Sequence, residues 1–403
     1  MKNVKNIKLK IKLTLLLVMV ILLNACASIP NPYSRDVSNN KQIMAQKELN
    51  SNELLDVSIK IFEPGKLPEN EDERKGLSEK IRNSEARYMP IHLKYTMQRT
   101  GYWGNVRVVP DESEGSEILV KGEILESDGE SIKLKIEVVD SENNKWFERK
   151  YNQTIKNSDR NDTEIERKDA FQLIYNEISN DIIKYRQELT PEKMERIKQL
   201  AEIRFARYMA PELYSDYIKK ENNGLYKLYR LPSTDDPMIK RIRSIKSRDE
   251  MLLDTINNYY DIYYTDVWES YDNWRKFRSE ELETIRDIEN KALAQKILGV
   301  AAIVGAIALG ASSNSDVVNR TGALRTVMIA GGGYALYSGI QTSKESEINK
   351  EAIEELGESF AIELEPIVID IDGKTTKLTG SADQQYAKWK NLLKEIYHKE
   401  TGF

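Results

Sequence analysis

The chain holds one cysteine and two histidines in 403 residues. A single thiol cannot close a disulfide within the chain, so no covalent staple supports the fold. His92 and His398 lie far apart and have no second histidine or cysteine beside them, so metal-site spacing is absent and no metal is expected. Two histidines also leave few candidates for a nucleophilic triad, and no G-x-S-x-G turn is present. No phosphate loop follows a strand: Gly331, Gly332 and Gly333 sit inside an apolar run with no Lys-Ser/Thr after them. No catalytic residue and no cofactor is therefore assigned. A basic surplus is missing as well. The formal net charge is −5, which gives no general attraction to nucleic acid or to anionic lipid.

What is present begins at the N-terminus. Lys2, Lys5, Lys8, Lys10 and Lys12 precede an apolar run from Leu15 to Leu23, and small residues follow. Basic, apolar, small is the order of a secretory signal peptide. Leu23-Asn24-Ala25-Cys26 resembles the lipobox of bacterial lipoproteins, with Asn24 standing where that family usually has Ala or Ser. The resemblance implies cleavage between Ala25 and Cys26 and a thioether-linked lipid on Cys26. It also implies that Ala27, in place of the inner-membrane Asp, sends the chain to the outer membrane of a Gram-negative host, lipid-anchored and facing the periplasm. Removal of the leader takes five lysines and no acid, leaving 55 basic against 65 acidic residues and a net charge of −10.

The remainder divides by pattern into a tether over 26–50, an α+β domain over 51–156, a helical domain over 157–295, a Gly-rich apolar hairpin over 296–342 and a closing helix, β-hairpin and helix over 343–403, after the signal peptide of 1–25. In the α+β domain "LLDVSIKIF" alternates as a strand. A helix follows, with Ile81, Tyr88, Ile91 and Tyr95 on one face; Pro90 is expected to kink or split it, and Gly101 to stop it. Four strand-like runs come next, with Asp128-Gly129 and "DSENN" supplying turns. The order β-α-β-β-β-β predicts one helix over an antiparallel sheet, so the fold class is α+β.

Past this domain the period becomes helical. Phe171, Ile174, Ile178, Ile182 and Tyr185 share a stripe, Pro191 opens the next helix, and Pro211 is expected to open another over "PELYSDYIKK". Ile256, Tyr260, Tyr263, Val267, Tyr271 and Trp274 recur at three- and four-residue steps in a long helix from about Ile239 to Gln295. The Tyr/Trp cluster from Tyr259 to Trp274 could stack on glycans, but its helical spacing is that of a core. The basic run Lys240, Arg241, Arg243, Lys246 and Arg248 reads as a solvated helix face, and the carboxylate pairs Glu114/Glu117 and Asp370/Asp372 as solvated strand ends and turns. Phe403 follows a helix, not a set of membrane strands.

"ILGVAAIVGAIALG" is uncharged over fourteen residues, a helix of about 21 Å against the ~30 Å of a bilayer core. Ala302, Ala306 and Gly310 form a ridge at four-residue steps, with Gly305 beside it, and Gly331, Ala335 and Gly339 form another in "VMIAGGGYALYSGI". Small-residue ridges let helix backbones approach closely. Two readings stand: a protein-buried or self-associating helical hairpin, and a membrane-inserted one.

Three further resemblances concern location. The Gly-rich segment resembles the glycine-zipper stretch of bacterial envelope lipoproteins. "GYWGNVRVVPDESEGSEILVKGEILESDGESIKLKIEVVD" resembles the small α+β domains of curli-secretion and penicillin-binding-protein-activator lipoproteins over about Leu54 to Ile155. "SEARYMPIHLKYTMQRTGYWG" and "YAKWKNLLKEIYHKETGF" look like an uncharacterised proteobacterial lipoprotein family. These resemblances imply location and not activity. The lipobox, the absence of catalytic constellations and the small-residue ridges together lead to the expectation of a non-catalytic scaffold held to the membrane by its N-terminal lipid and forming a homo-oligomer through the hairpin. The alternative is a binding module whose α+β domain recognises an envelope protein or peptidoglycan.

Overall fold

The computed structural model describes residues 34–36, 41–70, 77–155, 169–308, 367–371 and 374–402, with isolated positions between them. The chain divides into two compact units, residues 1–35 and 36–403. All elements below belong to the second. The signal peptide and cleavage residues Ala25 and Cys26 lie outside the described residues.

Strand β1 (Leu55–Lys60) leads into helix α1 (Glu79–Gln98), then β2 (Trp103–Val109), β3 (Ile118–Ser127), β4 (Ser131–Asp140) and β5 (Lys145–Thr154). The class is α+β, as the pattern implies, but the sheet is mixed rather than antiparallel. Its strands run in the order β5-β4-β3-β1-β2, and β1 pairs in parallel with both β2 and β3. Val57 sits opposite Val106 on one side and Ile118 on the other. Alternation of Val57 and Ile59 reveals a strand but not its neighbours, and the α1 crossover turns β1 and β2 the same way. The other pairs, β3 with β4 and β4 with β5, are antiparallel. Gly122 lies where any side chain would meet the Phe62 ring, 2.4 Å from an added Cβ, so this strand position is open only to glycine.

Helix α1 starts at Ser78, whose hydroxyl accepts the Ile81 N–H at 3.1 Å. Pro90 sits inside it and does not split it. Proline removes the N–H that would answer the Ala86 carbonyl. That carbonyl instead accepts the Phe62 N–H at 3.0 Å, so the helix defect fastens the chain leaving β1.

Two helices follow, α2 (Gln172–Gln187) and α3 (Pro191–Met209). Phe171, Ile174, Ile178 and Ile182 are fully buried, while Tyr185 is half-buried against Trp146. Thr190 caps α3 with Pro191 at its first position, as expected. The helix expected over "PELYSDYIKK" is corrected. Helix α4 is only Pro211–Tyr214, and the chain then forms a hairpin of β6 (Ile218–Lys220) and β7 (Tyr226–Leu228). Its turn is made by Asn223-Gly224 with Gly224 at φ +84°, a dipeptide that favours hairpins over helix continuation.

Helix α5 (Pro237–Ala308) has 72 residues, about 108 Å of axis. Ile256, Tyr260, Tyr263, Val267, Tyr271 and Trp274 are all buried in one apolar cluster with the sheet, α1, α2 and α3. Tyr260, Tyr263, Tyr271 and Trp274 are therefore core, while Tyr259, Tyr264 and Trp268 of the same cluster are half-buried. The chain ends with the hairpin β8 (Ile367–Ile371) and β9 (Lys374–Leu378) and helix α6 (Ala382–Thr401). Ser381 and Gln384 cap α6 reciprocally, and Tyr386, Trp389 and Leu393 bury against the same cluster.

Candidate functional site

Of the ridge residues, Ala302, Gly305 and Ala306 fall on the distal part of α5, which is helical through Ala308. Gly310, Gly331, Ala335 and Gly339 lie outside the described residues. The candidate site is thus the distal end of one very long helix. What fixes that helix in the body is legible residue by residue.

The deepest attachment is ionic. Arg275 on α5 and Asp169 before α2 are both fully buried and joined by two parallel hydrogen bonds of 3.0 Å. Tyr88 of α1 donates to the same carboxylate at 2.8 Å, and the Phe171 N–H donates at 2.7 Å. Burial alone would push the Asp169 carboxyl up, but the Arg275 guanidinium beside it holds it well below the ordinary range. The guanidinium in turn lies over the Tyr271 and Phe171 rings. A buried pair of this kind is satisfied only when every partner is in place.

Next to it, His92 is buried between Tyr264, whose hydroxyl lies 2.7 Å from Nδ1, and Gln172, whose Oε1 lies 2.9 Å from Nε2. The Gln172 amide nitrogen donates to Thr96 and to Asn176, so its oxygen is the atom that faces the ring. Nε2 therefore carries the proton and Nδ1 accepts from Tyr264. Burial lowers the imidazole pKa and keeps the ring neutral. Farther along α5, Tyr271 donates to Glu85 at 2.8 Å, Ser279 donates to Glu130 at 3.1 Å, and Arg286 makes a two-bond pair with the same Glu130. From Arg286 the helix continues unbroken for about 33 Å to Ala308.

The basic run at the start of α5 is neutralised inside the protein. Lys240 pairs with Asp235, Arg243 with Glu202, Lys246 with Glu250, and both Arg241 and Arg248 with Glu400. Of the paired carboxylates, Glu114 is held by Arg204 at 2.6 Å. Glu117 departs from the solvated role expected of it. Burial pushes its pKa up to about 7, opposed by the Asp56 N–H that it accepts at 2.9 Å. Asp370 lies in β8 and Asp372 outside the described residues.

Two hollows border these elements. One, of 430 Å³, lies at the start of α1 and is lined by Lys66, Glu69, Arg74, Glu79, Arg82 and Asn83. Its buried arginine, Arg82, is already spent on the Pro64 and Ser127 carbonyls and on Glu85 at 3.2 Å. The other, of 100 Å³, is floored by Asp249 among Phe205, Tyr208, Tyr386 and Lys390. Burial pushes Asp249 up to about 6, although Trp389 donates to it at 3.2 Å. Among the described residues no cluster of metal-ligating side chains occurs, and no helix is long and apolar enough to cross a membrane.

Sequence reasoning passed over Asp169 and Arg275, and weighed His92 only as a metal ligand or triad member. The available signal was the position of Arg275 on the Tyr271–Trp274 stripe, where a charge on a core face calls for a buried partner. No family pattern, no curated protein and no solved structure matches the chain.

Proposed function

We propose that this chain is a lipid-anchored cell-envelope lipoprotein with a non-catalytic scaffolding role, self-associating through its Gly-rich hairpin on the periplasmic face of the outer membrane. The observation that carries the reading is the division of α5. From Ile239 to Ser279 its inner face is locked into the core, and beyond Arg286 the same helix runs on into the small-residue ridge of Ala302, Gly305 and Ala306. A long helix that carries small residues at four-residue steps suits association between helices better than it suits chemistry. The lipobox at Cys26 supplies the anchor.

Labelled palmitate tests the anchor: wild type should incorporate it and Cys26→Ser should not, and equal incorporation sinks the lipobox assignment. Native mass spectrometry of the de-lipidated protein, with and without detergent, tests association, and a strict monomer under both conditions removes the oligomer. A second reading, a binding module for an envelope protein or peptidoglycan, is favoured by the 430 Å³ hollow in the α+β domain. Filling it with Asn83→Trp should release the protein from sedimented peptidoglycan if that hollow is the binding site.

A further inference from the structure

Lys219, Lys220, Lys227 and Arg230 project from the β6–β7 hairpin and its exit, and all four are exposed. Among the described residues no carboxylate pairs with any of them, in contrast to the five matched cations at the start of α5. Each lies over a tyrosine instead. Lys219 and Lys227 sit 5.6 and 5.4 Å from the Tyr229 ring, Lys220 5.6 Å from Tyr226, and Arg230 4.0 Å from Tyr217. Tyr229 and Leu231 are 53% and 46% exposed, two of the few large apolar side chains left in solvent.

We propose that this hairpin is a docking surface for a bilayer containing anionic phospholipid. Tyrosine favours the headgroup level, where its ring is half-immersed and its hydroxyl wet. Lysine and arginine stems lie along apolar surface while their charges reach phosphate. The chain as a whole is acidic, but charges beyond about 8 Å are screened at physiological salt, so the local surplus decides what the finger meets. Exposed Leu231 and Tyr229 favour a lipid surface over a soluble polyanion, which would leave them in water. The inference goes beyond the lipid-anchor reading and is tested without the acyl group.

The full chain carrying Cys26→Ser is sedimented with vesicles of phosphatidylcholine alone and with vesicles of phosphatidylcholine and phosphatidylglycerol in equal parts. The leader, with five lysines ahead of its apolar run, is common to every sample and itself favours anionic vesicles, so each variant's ratio is read against that of the parent chain. Binding should favour the anionic vesicles and weaken with salt. Lys219→Gln/Lys227→Gln/Arg230→Gln should lose about five-fold per cation, on the order of 100-fold in that ratio. Tyr229→Ser/Leu231→Ser should weaken binding to the anionic vesicles while keeping its salt dependence. All five side chains are exposed, so melting temperatures should match wild type. A triple variant that keeps the wild-type ratio overturns the proposal. So does an apolar pair variant that binds as wild type while dextran sulfate strips the protein from vesicles, which would mark a site for soluble polyanions.

Discussion

Asn257 closes the sheet at Val108. The edge strand β2 would otherwise present Val108 to a second chain, but Asn257 of α5 accepts its N–H and donates to its carbonyl, 2.9 Å each way. An open strand edge is a template for pairing with another molecule. Asn257→Leu should leave two buried backbone groups unanswered and cost about 2–4 kcal/mol. Urea denaturation measures the loss, and light scattering near the transition should show earlier aggregation than wild type. Unchanged stability would mean that water replaces the amide at no cost.

Arg275 and Asp169 should behave as one unit. Arg275→Met strands a buried carboxylate, and loss of one partner of such a pair costs roughly 3–5 kcal/mol. Asp169→Leu strands the guanidinium and should cost a similar amount. The double variant should be clearly more stable than the two losses added, because no charge is left unpaired. A double-mutant cycle from equilibrium denaturation checks this, and strict additivity would show that the pair is not coupled.

Asp249 and His92 should bend the pH dependence of stability in opposite senses. Asp249 is pushed up to about 6 in the folded chain, against an ordinary value of ~3.9. The folded state thus holds more protons in that interval, and stability present below about pH 4 is lost as pH rises toward 6. His92 is lowered in the folded chain, so the unfolded chain takes the proton first. Its contribution is full above ~6.5 and is lost as pH falls below that value. Asp249→Asn should therefore remove a slope of up to about 1.4 kcal/mol per pH unit between pH 4 and 6. His92→Gln should flatten the loss seen just below ~6.5. Urea midpoints measured across the range separate the two, and variant curves parallel to wild type would contradict both assignments.

Gly305→Leu tests the small-residue ridge against a neighbour off the Ala302–Gly310 line. If the ridge lines a close helix contact, Leu there overpacks it and costs ~1–3 kcal/mol, lowering the melting temperature or dissociating an oligomer. Ala308→Leu controls for helix propensity. Only a larger effect at Gly305 supports a packed hairpin. Equal, negligible effects favour the membrane-inserted alternative.

Local pattern carried much of this fold. The stripe from Phe171 to Ile182 and the buried series from Ile256 to Trp274 follow from period alone, and the Pro191 helix start from proline's fit to the first helical position. What period cannot carry is the identity of a neighbour. Val57 and Ile59 alternate alike in a parallel or an antiparallel sheet, and the lateral place of β1 between β2 and β3 is a tertiary choice. Pro90 was legible as a helix defect, but the Phe62 N–H that answers Ala86 comes from 24 residues upstream of the freed carbonyl. At Tyr214–Leu228 the signal was present: Asn223-Gly224 outweighs the apparent helical continuation after Pro211. Of the candidate site, the helical course through Ala302, Gly305 and Ala306 was readable from the sequence, whereas the buried attachments of that helix were not. Asp169 and Arg275 are 106 residues apart, and although Arg275 sits on the core stripe, nothing local marks Asp169 as its partner.

The unbroken course of α5 also makes it a phase reference. Each residue advances the helix by about 100°, so the azimuth of Gly305 is set by residues as distant as Arg275 and Arg286, which are keyed to the core. One residue inserted near Glu289 would rotate everything distal to it by about 100° and aim the small-residue line away from its original bearing. Seven inserted residues would bring it back to within about 20° while moving it roughly 10 Å outward. If the line meets another helix, as the proposed self-association requires, that partner must accept one angular setting, and the length of the helix can change only in steps of about seven residues if the setting is to be kept.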